Sequence, residues 1–205
     1  MFIQVIQGRT SDAEGLRAAV DRWEKDVAPG AVGWLGSTGG VTEDGRAIAV
    51  VRFESEESAR RNSDRPEQDR WWRETEHLFD GGASFRESSD VVVDLQGDPD
   101  RAGFVQVMQG RTSDPARARE LMAQDPEMWA TYRPDVLGSV EILHDGGAYT
   151  MVLYFTSEAE AREGERKEMP LELRATMDEM DKLTVEEPEF FDLKQPQLRS
   201  APGST

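Results

Sequence analysis

Residues 2–12 read Phe-Ile-Gln-Val-Ile-Gln-Gly-Arg-Thr-Ser-Asp, and residues 104–114 read Phe-Val-Gln-Val-Met-Gln-Gly-Arg-Thr-Ser-Asp. Nine of the eleven positions are identical at a spacing of 102, and Ile3/Val105 and Ile6/Met108 exchange one apolar side chain for another. The spacing persists in Leu35-Gly36-Ser37 against Leu137-Gly138-Ser139. It persists again in Phe53, Ser55, Glu56, Ala59 and Arg60 against Phe155, Ser157, Glu158, Ala161 and Arg162. Near Pro66 and Pro170 the register slips by about two residues. A solenoid needs at least three repeats, so two copies indicate a duplicated domain. The expected boundaries are 1–97 for the first repeat, 98–102 for a linker and 103–195 for the second repeat. Residues 196–205 are polar and rich in Pro, Gly and Ser, and are expected to be a disordered tail.

Each copy gives the same element order. Residues 2–8 form an apolar strand interrupted by Gln4 and Gln7. Ser11-x-x-Glu14 has the form of a capping box, and Asp114-Pro115 that of an N-cap followed by proline at the first helical position. Leu16, Val20, Trp23 and Val27 then recur at helical spacing. Residues 32–41 and 46–54 read as strands joined at Asp44-Gly45, and Asp145-Gly146 is the turn signal of the second copy. Long helical segments follow over 55–79 and 156–181, each with a proline irregularity. Val91-Val92-Val93 reads as the last strand, and Phe190-Phe191 marks its counterpart. The order β-α-β-β-α-β, twice, predicts an α+β fold of two ferredoxin-like repeats.

Charge narrows the function. The 205 residues carry 41 acidic and 24 basic side chains, a net charge of −17. A surface of that sign does not displace the counterions of nucleic acid or dock on anionic lipid, so neither nucleic acid nor membrane is an expected partner. The charge is shared by the two copies, with 21 acids and 13 bases in residues 1–102 and 20 and 11 in the remainder. No cysteine is present and only His77 and His144 are histidines, which excludes thiolate chemistry and Cys-ligated metal. The N-terminus lacks the basic and apolar regions of a signal peptide, and the expected location is the cytoplasm. Phosphate-binding glycine loops, nucleophile elbows and His-Glu-x-x-His motifs are all missing from the sequence.

In the repeated motif, Gln7, Arg9, Gln109 and Arg111 are candidates for the mouths of two equivalent pockets, with guanidinium donors suited to an anionic or phenolate oxygen. The bland reading makes Gly-Arg-Thr-Ser-Asp a strand-to-helix turn with a capping residue. Arg52 and Tyr154 occupy equivalent strand positions and carry polar tips. Trp34, Trp129, Tyr132, Tyr149 and Tyr154 are aromatics able to stack on a flat ligand, and Trp23 reads as core. His144 reads as a hairpin residue. Methionines crowd the second copy, as core filler or as the wall of an adaptable apolar pocket.

This organisation resembles the dimeric α/β-barrel superfamily, and within it the antibiotic-biosynthesis-monooxygenase type. The resemblance implies that the two repeats pair as an intramolecular dimeric α/β barrel, a pseudo-dimer on one chain. It further implies a cofactor-independent monooxygenase acting on an aromatic or phenolic small molecule, with the substrate itself reducing dioxygen and no metal or flavin taking part. Such proteins line their pocket with Asn, Trp, His or another aromatic, and Arg. Asn62, Trp71, Trp72, His77 and Arg86 follow in similar order here. Under this reading Asn62, His77 and Trp72 are catalytic, while Trp71, Arg86, Gln7, Arg9, Trp34 and Arg52 bind substrate. The site then belongs to the first repeat, because Gly164 stands at the position of Asn62 and Ala175, Thr176 and Asp181 at those of the tryptophans and His77. Two alternatives stand beside it: a non-catalytic ligand-binding or stress-related pseudo-dimer, and haem degradation with His77 as axial ligand. A cavity in the first repeat alone, holding Asn62 and a tryptophan, would favour the enzyme. A packed interior in both repeats would favour the binding protein.

Overall fold

Each copy of the quoted strand lies inside an open antiparallel sheet. The computed structural model describes residues 1–201. In the first copy the elements are β1 (Phe2–Arg9), α1 (Ala13–Asp26), β2 (Trp34–Val41), β3 (Arg46–Phe53), α2 (Glu56–Ser63), α3 (Pro66–Thr75) and β4 (Asp80–Ser88), followed by β5 (Val91–Leu95). The second copy runs β6 (Phe104–Thr112), α4 (Pro115–Met122), α5 (Pro126–Tyr132), β7 (Val136–Leu143), β8 (Ala148–Phe155), α6 (Glu158–Arg166), α7 (Leu171–Asp181), β9 (Thr184–Leu193) and β10 (Gln197–Ser200). The fold is α+β. Its two five-stranded sheets have the orders β10-β2-β3-β1-β4 and β5-β7-β8-β6-β9, and neither sheet closes on itself into a barrel.

The chain forms two compact units, Met1–Val91 with Gln195–Thr205, and Val92–Lys194. Each sheet takes its outermost strand beside β2 or β7 from the chain that follows the other repeat. Val91-Val92-Val93 is a strand as expected, but it pairs with β7 in the second sheet. The strand that completes the first repeat is β4, Asp-Gly-Gly-Ala-Ser-Phe-Arg-Glu-Ser, which lies against β1. Its glycine-rich, polar sequence lacks the alternation that marks a half-buried strand, because β4 is a largely exposed edge.

The expected disordered tail is corrected over its described part. Gln197–Ser200 pairs with Gly39–Gly36 of β2, and residues 202–205 lie outside the described residues. Arg199 holds the strand in place through Asp21 and, at 2.7 Å, Glu24 of α1. Composition missed it because the four residues gain order from the β2 edge and not from their own propensity.

The local signals resolve as follows. Asp12, not Ser11, caps α1, accepting from Gly15 N at 2.8 Å, while Ser11 bonds Asp80. Asp114 caps α4 with Pro115 at the first position. Segment 55–79 divides into α2 and α3 before Pro66, whose ring cannot continue a helix from within. Segment 156–181 divides likewise around Lys167–Pro170.

Side chains alternate across the sheets. Phe2, Ile6 and Gly8 of β1 face the helices, as the packing of Phe2 with Trp23 and of Gly8 with Phe79 shows. Ile3, Val5, Gln7 and Arg9 therefore face the other way. The helix side of the first unit holds a cluster of Phe2, Trp23, Val27, Trp34 and Phe53.

Candidate functional site

The sheet of the first unit separates the residues that the sequence groups together. Arg52 pairs with Ile3, Arg86 with Val5 and Arg9 with Arg46 across the ladders, so Gln7, Arg9, Arg52 and Arg86 all lie on the face away from the helices. Arg86 is exposed, and Arg9 donates to the Asp44 carbonyl at 2.7 Å. Arg52 Nε is buried without a hydrogen-bond partner. Asn62, Trp34, Trp71 and Trp72 stand on the helix side.

There the expected catalytic group is largely structural in its contacts. Asn62 is buried and fully engaged: its Nδ2 donates to Gln68 Oε1 at 3.2 Å and its Oδ1 accepts from Arg65 Nη1 at 3.1 Å. The same Gln68 oxygen accepts from Trp23 Nε1 at 2.7 Å, and Arg65 also donates to the Val27 carbonyl at 3.0 Å. Trp34 packs edge-on against Trp23 with centroids 5.0 Å apart. Trp71 packs on Trp23 and donates to the Ala19 carbonyl at 2.8 Å. Trp72 meets Phe85 and Phe79 at 5.2 and 6.0 Å. His77 is exposed on a 3-10 turn. Trp71 and Trp72 do border a cavity, together with Ile6, Val41 and Ala49, but its volume is about 80 Å³ and Asn62 does not line it. At roughly 30 Å³ per water molecule, that holds two or three waters.

The larger cavity lies in the second unit, whereas the residues expected to form the site group in the first. About 450 Å³ is enclosed between β6–β8 and the helices, within the roughly 300–1,000 Å³ range of small-molecule pockets. The cause is legible by comparing the copies. Trp23 corresponds to Asp125 and Trp34 to Val136 at the spacing of 102. Along the last helix, buried or half-buried Gln68, Trp71, Trp72 and Thr75 match Leu173, Thr176, Met177 and Met180. The slip there is therefore to a spacing of 105, the same one that sets Phe85 opposite Ile6 and Phe190 opposite Met108. Thr176 and Met177, not Ala175 and Thr176, replace the tryptophan pair. Four indoles of the first unit thus become Asp, Val, Thr and Met, and the space they fill stays open. The helix also breaks: Asp125 sits at φ +51° and Pro126 starts α5, which brings Trp129 and Tyr132 to the cavity wall.

The cavity surface is chiefly thioether and aromatic. Met108, Met151, Met177 and Met180 come from sheet and helix, and Trp129, Tyr132 and Tyr149 supply rings. Its polar groups include the carboxylates of Asp94, Glu141 and Glu165, the Arg133 guanidinium and several hydroxyl and N–H donors. Trp129 Nε1 is buried with no hydrogen-bond partner among the described residues. The Tyr149 hydroxyl, above Gly110, forms no hydrogen bond to the described residues either. Burial, and secondarily the negative charge of Glu141, push the Tyr149 phenol above its ordinary value of 10.0, so it is a neutral donor at physiological pH. Arg133 also borders the cavity, but its guanidinium is held by Asp135 at 3.0 and 2.8 Å and lies 5.4 Å over the Phe155 ring.

On the opposite face of this sheet, Gln109 donates to Thr150 Oγ1 at 3.1 Å and His144 Nε2 lies 3.0 Å from the same oxygen. Arg111 reaches the Gly146 carbonyl at 3.3 Å. Gln109 and Arg111 therefore brace the strand and hairpin, away from the cavity. Gln4 and Gln106, on the helix side, bond Glu87 and Asp192 at 2.7 and 2.8 Å. Trp129, Tyr132 and Tyr149 are among the aromatics that the sequence offers as stacking surfaces, although nothing in their spacing predicts a shared cavity. The methionine enrichment was the available signal. No group of three or more potential metal ligands occurs among the described residues, and no helix among them is long and apolar enough to cross a membrane.

At the level of fold, solved structures share this duplicated ferredoxin-like α+β arrangement over nearly the whole chain. Among solved structures, the chain is similar to a proposed monooxygenase from Fusobacterium nucleatum, with TM-score 0.74 and 9% identity over 97% of this chain and 94% of the other. A proposed monooxygenase from Lactobacillus acidophilus NCFM aligns with TM-score 0.70 and 10% identity over 97% and 95%. An anthrone oxidase-like protein aligns with TM-score 0.64 and 11% identity over 98% and 91%. No family model matches the sequence, and no curated protein does.

Proposed function

We propose that the chain is a cofactor-independent monooxygenase of the cytoplasm, and that the second unit binds and oxidises a flat, apolar ring substrate in its cavity. The observation that carries this reading is a chiefly thioether and aromatic 450 Å³ space bordered by Trp129, whose buried Nε1 has no hydrogen-bond partner among the described residues, and by Tyr149, whose hydroxyl also has none there. A buried donor left unmade costs about 1–3 kcal/mol, and a ring oxygen of the substrate relieves that cost. The same donors favour charge that develops on the oxygen as the ring is activated. A ring methylene conjugated through its arenes to a carbonyl or phenol then reacts with dioxygen. One oxygen atom enters as a new carbonyl and the other leaves as water, the substrate supplying the electrons. Methionine walls adapt to the shape of the ring system. In this reading Asn62, Trp71, Trp72 and His77 support the first unit and do not touch substrate.

Anthrone is the test substrate, chosen because one fold relative is an anthrone oxidase-like protein. The expected result is uptake of one dioxygen per anthrone with anthraquinone formed. Trp129→Phe and Tyr149→Phe should each lower kcat/KM by about tenfold, the equivalent of one lost hydrogen bond. Anthrone binding without oxygen uptake would point to a non-catalytic binding protein instead.

A further inference from the structure

The charges around the second-unit cavity are unbalanced. Asp94, Glu141 and Glu165 border it against a single cation, Arg133. That guanidinium is committed to the buried carboxylate of Asp135. Arg162, which pairs with Glu165 at 2.9 Å, also serves Glu158 and Asp192. Asp94 has no cationic partner among the described residues. Glu141 projects from β7 on the helix side, opposite Met151 in the ladder. Its side chain is 19% exposed, and its partner Arg119 stands at 3.4 Å. Trp129, Tyr132 and Tyr149 line the same space, and aromatic ring faces attract cations.

We infer that this cavity selects a lipophilic aromatic cation, its positive substituent resting between Glu141 and the aromatic rings while its flat ring system lies among the methionines. Three observations converge on that charge. The carboxylates outnumber the free cations, the aromatic walls favour a positive group, and a chain of net charge −17 repels anions before they arrive. A partly desolvated carboxylate with one long ion pair retains acceptor capacity for a second donor. The inference rests on the cavity being the ligand site, as proposed above, and not on the oxidation step. The positive group is a substituent, distinct from the ring carbon that would react.

Three fluorescent probes test it at 150 mM salt: rhodamine 6G as cation, Nile red as neutral ring and 8-anilinonaphthalene-1-sulfonate as anion. Rhodamine 6G is expected to bind at least about tenfold more tightly than the anion, a difference of one charge-assisted contact. Glu141→Gln should remove most of that preference and leave Nile red affinity within about twofold. Met177→Trp, which projects an indole into the cavity, should weaken binding of both by at least about tenfold. Circular dichroism confirms that each variant is folded. Nile red binding with no preference for rhodamine 6G over the anion overturns the charge inference and leaves the cavity reading intact. Rhodamine 6G binding that survives Met177→Trp assigns the cation to the outer surface and overturns the inference. No binding of any probe removes the cavity reading and this one together.

Discussion

Gly164 leaves the space that the Arg133 guanidinium occupies: a Cβ built at residue 164 would overlap Arg133 Nε, the atom that donates to Asp135 at 3.0 Å. In the first unit the equivalent position holds Asn62, whose oxygen accepts from Arg65. The two copies therefore solve the same packing problem with different arginines, and neither solution tolerates the residue of the other. Gly164→Ala is expected to destabilise the second unit by about 1–3 kcal/mol, as an overpacked site does. Asp135→Ala, which strands a guanidinium among Phe155 and Ala161, should cost about 3–5 kcal/mol. Urea unfolding followed by circular dichroism measures both, and an unchanged midpoint in Gly164→Ala would show that Arg133 has room to move.

Duplication, element order and the core place of Trp23 were legible because identical residues recur at one spacing and Trp23 follows the helical period. Three features were not. The exchange of β5 and β10 between the sheets depends on which edge a short strand finds, and Val91-Val92-Val93 carries no mark of its partner. The strand β4 hides behind Asp80-Gly81-Gly82 because exposed edges need no alternation. The position of the larger cavity was not legible for a physical reason: clustered Trp71, Trp72 and Asn62 look like pocket chemistry in a linear reading. In three dimensions indoles fill volume, and the pocket opens where they are missing.

Restoring the bulk of the first unit should therefore close the second. Met177→Trp places an indole at the position equivalent to Trp72, facing Met108 and Met151 across the cavity. Expected outcomes are loss of Nile red binding by at least about tenfold and a stability change within about 1.5 kcal/mol, because the space is already open. Trp23→Ala in the first unit is expected to do the opposite. It should cost about 3–5 kcal/mol for a large-to-small change in a packed cluster and leave Nile red binding unchanged. Equal loss of binding in both variants would contradict the assignment of the site to the second unit.

Tyr149 gives the cavity a signature in alkali. Its phenol is held above 10.0 by burial first and by Glu141 second, so the folded chain keeps a proton that the unfolded chain releases. The stabilising effect of that neutral phenol is complete below pH 10 and is lost as pH rises through the folded value. The difference in absorbance at 295 nm between the native chain and Tyr149→Phe isolates this titration. The expected midpoint lies above 10.0 and moves down toward it in Glu141→Gln. A midpoint at or below 10.0 would mean that the ring is solvated and does not face a dry cavity.

The last strand offers a test of how much the first unit depends on chain that follows the second repeat. Ending the chain at Lys194 removes β10, freeing the β2 edge from Gly36 to Gly39. It also removes Ala201, which packs on the Phe2–Trp34 cluster. Arg199, with a side chain only 10% exposed, would no longer join Asp21 and Glu24 of α1 to the sheet. Backbone groups of β2 that were paired then face solvent, and an unpaired edge exchanges its amides readily and invites association. Hydrogen exchange followed by mass spectrometry is expected to show faster exchange in residues 34–41, while the equivalent residues 136–143, which β5 still covers, keep their protection. Arg199→Ala separates the ion pairs from the strand itself. It should cost about 1–3 kcal/mol, the range for a hydrogen-bonded charge, and leave β2 protected if the ladder alone holds the edge. Unchanged exchange at 34–41 in the truncated chain would show that β10 rests on the sheet without supporting it.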